Sequence, residues 1–180
     1  MGVEVFVADE QSEFPVDHLR WVALAENVLA AEGVRGDAEL SVLFVDPEAM
    51  AELNLRFHAQ EGPTDVLAFP IDDEPTAGGR NPDAGGTGPG YSPPEPSELP
   101  ILIGDVVICP AVASRNASEH RVAYEDEVAL LIVHGILHLV GMDHDLDEEA
   151  EAMEAREREL LARFHSPSGS PPGSPPGERP

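Results

Sequence analysis

Three histidines stand within a short stretch near the C-terminal end of the chain, in the run His134-Gly135-Ile136-Leu137-His138-Leu139-Val140-Gly141-Met142-Asp143-His144. The spacing is H-x-x-x-H-x-x-G-x-x-H. Residues four apart on a helix share a face, one turn above the other, so His134 and His138 can address one point. Gly141 supplies the permissive backbone that ends a helix and turns the chain, which can bring His144 back toward the first two. Three neutral imidazoles and a water make the open tetrahedral site of catalytic zinc. The residues therefore predict one Zn²⁺ ion held by His134, His138 and His144 at a helix-turn. The one cysteine, Cys109, lies in another segment and reads as a small buried residue.

The spacing matches the metzincin peptidase pattern with one loss. There the residue after the first histidine is the glutamate that activates water; here it is Gly135, which cannot take a proton. Gly135 allows close approach of another backbone or of a bulky substrate. The substitution points to a different hydrolysis, in which a metal lowers the pKa of its water to about 7.

The elements that must position these residues are legible in the periodicity. Strands are expected at 3–7, 38–45, 64–71 and 101–109, the last with a kink or close approach at Gly104. Helices are expected at 15–32 (with Leu19, Val22, Ala25 and Leu29 at helical spacing), from the Asp46 cap to about 58, at 110–119, at 124–140 and at 147–164. Glu125, Asp126 and Glu127 stand at the positive end of the histidine helix. In the last helix Ala150, Met153, Leu160 and Leu161 should face the body. The segment 72–99 is dominated by Gly, Pro and acid and is expected as a disordered insertion between two antiparallel strands. The Ser-Pro-Gly tail 166–180 is expected to be disordered too. The whole predicts a single α+β domain over 1–165, with a small four-stranded mixed sheet and about five surrounding helices.

Charge constrains the partners. The chain of 180 residues carries a formal net charge of -25, and its 10 basic residues are all arginine. Phosphate affinity comes from cations, so broad nucleic-acid binding is disfavoured and any RNA contact must be local or arranged by a partner. The single cysteine suits a reducing compartment. The N-terminus lacks the basic and apolar regions of a signal peptide, and the greasiest stretch, 128–142, is too short to span a membrane. A cytoplasmic protein without membrane association is expected.

The histidine run resembles the H-G-x-L-H-L-x-G-x-D-H signature of the YbeY family of bacterial ribosomal-RNA maturation endoribonucleases. Gly62-Pro63-Thr64-Asp65-Val66-Leu67-Ala68-Phe69-Pro70 resembles that family's P-T-D-V-L-S-F-P strand, and Gly104-Asp105-Val106-Val107-Ile108-Cys109 its G-D-I-V-I-C strand. The resemblance covers roughly residues 3 to 163. It implies a zinc-dependent endoribonuclease specific for single-stranded RNA, acting in small-subunit ribosomal RNA maturation and ribosome quality control. The implied partners are ribosomal RNA and the small ribosomal subunit or its proteins, with no DNA. It also implies a four-stranded mixed sheet with the metal in a cleft, and His134, His138 and His144 as ligands. The family often has an arginine five residues before the proline of P-T-D. That place holds His58, with Arg56 two residues earlier. Either is a candidate phosphate contact, and both also read as helix-surface residues. Ala68 stands where the family commonly has serine.

Two other functions fit the residues: a divergent zinc peptidase, and a non-catalytic ribosome assembly factor with a structural zinc. Asp143 could orient a histidine, accept a proton near the metal or stabilise the turn. Asp145 reads as a cap for the next helix. Arg115 and Arg121 could form a small cationic strip or be ordinary solvated arginines. His18, His120 and Tyr91 carry no supporting pattern.

Overall fold

A computed structural model describes residues 2–71, 100–142 and 146–167. The insertion 72–99, residues 143–145 and most of the C-terminal tail lie outside them. Nine elements follow in the order β1 (Val3–Asp9), α1 (His18–Ala31), β2 (Ala38–Phe44), α2 (Pro47–His58), β3 (Val66–Pro70), β4 (Ile101–Ile108), α3 (Pro110–His120), α4 (Tyr124–Leu139) and α5 (Asp147–Phe164). The expected mixed sheet and five helices are present, with boundaries shifted by a few residues.

The sheet order is β1-β2-β4-β3, so β3 is an edge strand. β1, β2 and β4 run parallel, and β3 pairs antiparallel with β4 through Val66↔Ile108 to Pro70↔Gly104. This is the expected pairing across the insertion. Pro70 suits an edge, where its missing N–H breaks no ladder.

Period-two alternation sorts the strands onto two faces. Leu40, Val42, Phe44, Val106 and Ile108 join α1, α4 and α5 in the larger core, and Val45, Leu67, Val107 and Cys109 join Met50 of α2 in a smaller one. In α1 the buried face is Trp21, Leu24, Ala25, Val28 and Leu29. Leu19 is 84% exposed, against the sequence expectation. It precedes Trp21 by two residues, about 200° around the helix, and so points away from the sheet.

The start of α2 is built as expected: Asp46 caps it, its Oδ1 accepting from the Ala49 N–H at 2.8 Å, with Pro47 in the first turn. At the other end Ala59 adopts the left-handed conformation. Buried Asn54 then donates to the Gly62 carbonyl at 2.9 Å, holding the turn that leads into β3.

Gly104 marks a close approach, as its sequence position predicted. It has φ 145°, and a Cβ there would lie 2.3 Å from the Phe69 carbonyl oxygen. The β2–β4 register shifts beside it, Glu39 opposing Leu102 but Leu40 opposing Gly104. The bulge therefore needs glycine both for its backbone angle and for its contact with the edge strand.

Candidate active site

Helix α4 carries His134 and His138 on one face. Their Nε2 atoms lie 3.0 Å apart and their rings meet edge to face with centroids 4.6 Å apart. Both side chains are only partly buried, whereas Val133, Gly135, Ile136 and Leu137 around them are buried. The apolar part of α4 anchors the helix in the core and leaves the two imidazoles at its open margin.

The far nitrogen of His134 is held from α5. Its Nδ1 lies 2.5 Å from Oε1 of Glu157, a carboxylate buried beside Met153 and Leu160. With Nδ1–H donating to the carboxylate, the Nε2 lone pair points toward His138. Glu157 was not singled out from sequence. A signal existed: it follows Met153 by four and precedes Leu160 by three, so it occupies the apolar stripe of a helix otherwise studded with solvent-facing charge.

Gly135 lies buried against the sheet. A Cβ there would come 2.7 Å from Cγ1 of Val106 and 3.0 Å from its Cγ2. The close approach expected of this glycine is thus made first to a β4 side chain, which lets α4 pack tightly on the strand. Gly135 also contributes to the wall of a cleft of about 460 Å³, together with His58, Asp65, Val66, Leu67, Ala68, Pro70, His134 and His138. The cleft runs between the histidine face of α4 and the edge strand β3.

His58, at the end of α2, lines the cleft; Arg56 does not, its guanidinium lying 5.3 Å from the Phe57 ring centroid. Asp65, part of the strand motif at 62–70, proves to be an organiser. Its Oδ1 accepts from the Val66 N–H at 2.8 Å and its Oδ2 from Asn116 at 3.0 Å, tying the start of β3 to α3. Arg115 and Arg121 are exposed on and just after α3. His120 pairs with buried Glu127 at 3.2 Å, a structural link between α3 and α4. Cys109 is buried, and burial chiefly pushes its thiol pKa up, as befits an inert core residue. His144, Asp143 and Asp145 lie outside the described residues.

Among the described residues no group of three or more His, Cys, Asp or Glu side chains could hold a metal ion. The pair that is described still has suitable donors for one. Two nitrogens bound to the same tetrahedral zinc at about 2.0–2.1 Å stand roughly 3.3 Å apart, close to the 3.0 Å between His134 and His138. A carboxylate on the opposite nitrogen of one imidazole is the usual companion of a zinc-bound histidine.

A profile of the family described as Endoribonuclease YbeY matches residues 6–165. The chain belongs to that family. A YbeY relative from Thermobifida fusca is 43% identical over 161 residues, covering 89% of this chain and 93% of its own length. Another, from Parafrankia sp., is 40% identical over 166 residues, covering 92% and 97%. A third, from Frankia casuarinae, is 42% identical over 158 residues, covering 88% and 73%. All three are named Endoribonuclease YbeY. The solution structure of TM1509 from Thermotoga maritima superposes with a TM-score of 0.53 at 25% identity, covering 97% of this chain and 99% of that one. The YbeY resemblance read from three short segments therefore extends over residues 6–165.

Proposed function

We propose that this chain is a zinc-dependent endoribonuclease specific for single-stranded RNA, acting on ribosomal RNA of the small subunit in its maturation and in ribosome quality control. The observation that carries the metal part is the convergence of the His134 and His138 Nε2 atoms to 3.0 Å, with Glu157 on the opposite nitrogen of His134. Family membership supports the nuclease part. His134, His138 and His144 would hold the ion, which when bound would polarise a phosphate and lower the pKa of a nucleophile.

The chain's own residues then have separable tasks. Glu157 selects the His134 tautomer and fixes its ring. His58 faces the same cleft and, when protonated, would donate to a phosphate oxygen, taking the place of the family's arginine. Asp65 and Asn116 hold the wall opposite α4. The Gly135–Val106 contact weighs against a peptidase, because a side chain at 135 would collide with the sheet.

We further place its work in the cytoplasm on the small subunit or its proteins. A net charge of -25 favours docking onto basic protein over bare RNA. No described helix is long and apolar enough to cross a membrane.

The test is cleavage of a single-stranded RNA oligomer by the zinc-loaded protein and by His138→Ala, beside a DNA oligomer of the same sequence. The reading requires RNA cleavage that His138→Ala abolishes, and inert DNA if the ribose 2′-hydroxyl attacks. RNA cleavage undiminished in the variant would overturn it. Small-subunit association without nuclease activity in either form would favour an assembly factor instead.

A further inference from the structure

A nuclease with a net charge of -25 cannot gather RNA by broad phosphate neutralisation, so its hold on a single strand must come from elsewhere. The inward stripe of α2 is Met50, Leu53 and Asn54, and helical spacing continues it to Phe57. Met50 and Asn54 are buried, but Phe57 is 54% exposed. Its ring meets Phe69 edge to face, with centroids 5.0 Å apart and planes at 61°. The Arg56 guanidinium stands 5.3 Å from the Phe57 centroid.

This aromatic pair adjoins the cleft. His58, the residue after Phe57, lines it, as do Ala68 and Pro70 on either side of Phe69. Strand alternation turns Phe69 to the opposite face of β3, and β3 is the sheet edge. The cleft and the ring pair thus flank one edge strand, and a chain crossing that edge meets both.

We propose that Phe57, backed by Phe69 and Arg56, is a base-stacking subsite for a nucleotide neighbouring the one whose phosphate lies in the His134–His138 cleft. The proposal rests on the endoribonuclease reading and deepens it. An exposed aromatic ring with an adjacent guanidinium supplies the π surface and the local cation by which proteins hold single strands. Every base has a π face, so the subsite is indifferent to sequence. Bases in a duplex are stacked on one another and have no face to offer, so the same subsite selects single strands.

The experiment uses a single-stranded 2′-O-methyl RNA oligomer carrying 2-aminopurine, with the zinc-loaded wild type, Phe57→Ala, Phe57→Leu and Phe57→Trp. Stacking predicts fluorescence quenching by the wild type and by Phe57→Trp. It predicts loss of quenching and roughly ten-fold weaker binding in Phe57→Ala and Phe57→Leu. With unmodified RNA, KM should rise in those two variants while kcat is retained. Phe57→Leu keeps an apolar side chain, and equal melting temperatures verify its fold. Wild-type quenching and affinity in Phe57→Leu would overturn the subsite. RNA cleavage without any Phe57 effect would sink the subsite and leave the nuclease standing. Phe57-dependent quenching without cleavage would sink the nuclease and leave the subsite. An oligomer that neither binds nor is cut would sink both.

Discussion

His134 Nδ1 and Glu157 Oε1 lie 2.5 Å apart, joining the helix that carries two candidate ligands to the helix that follows the third. A buried carboxylate in this place does more than neutralise charge: it fixes which imidazole nitrogen is left to face the cleft. Glu157→Ala should therefore weaken zinc binding by about 10- to 100-fold. Glu157→Gln, which keeps an accepting oxygen, should weaken it less. Competition with a chromophoric chelator reads both. Unchanged affinity in Glu157→Ala would mean that the carboxylate serves packing alone.

The contact between Gly135 and Val106 yields a second prediction. Gly135→Ala should cost roughly 1–3 kcal/mol through overpacking, because its Cβ would meet Val106 at 2.7 Å. Shortening the partner in Gly135→Ala/Val106→Ala should recover part of that loss. Gly135→Glu, which restores the peptidase glutamate in sequence, should lower the melting temperature further and cleave no casein. Denaturant titration of the four proteins checks the series.

Gly104 joins the bulge to the edge strand. Gly104→Ala would place a methyl group 2.3 Å from the Phe69 carbonyl at a φ of 145°. The backbone at 69–70 must move, and Pro70 lines the cleft. A loss of roughly 1–3 kcal/mol or more is expected, with faster amide exchange in β3. A stable variant with unchanged exchange would contradict the role given to this glycine.

Tyr124 provides a test at alkaline pH. Burial chiefly, with Glu125 and Asp9 nearby, pushes its pKa up to about 12. The unfolded phenol ionises near 10. The folded value is the higher one, so the contribution to stability is fully present below about pH 10 and is lost as pH rises toward 12. Denaturant midpoints should fall across that window in the wild type. Tyr124→Phe keeps the ring packed on Phe14, 5.5 Å away, and should show a smaller fall. Identical pH profiles would contradict the assignment.

Much of this architecture was legible in the sequence because local rules and tertiary packing agreed. The Asp46-Pro47 start of α2, the glycine at the β4 bulge and the antiparallel pair across the insertion were each expected and found. Leu19 was misjudged because α1 carries more apolar residues than one face needs, and only the sheet decides which stripe is covered. Glu157 was missed for the opposite reason. In a helix with so many acids, the one that matters differs only by its phase relative to Met153 and Leu160. Sequence spacing placed His134 and His138 on one face, but Glu157, the partner of His134 23 residues along, is a product of the tertiary fold. His144 and its neighbours, and the insertion 72–99, lie outside the described residues.

The proposed chemistry needs a metal held by this histidine set, and elemental analysis of the purified chain tests that most directly. One zinc per chain is expected in the wild type and none in His138→Ala or His144→Ala, with the fold retained by circular dichroism. A wild type that cuts RNA without bound metal, or variants that keep a full equivalent of zinc, would contradict it.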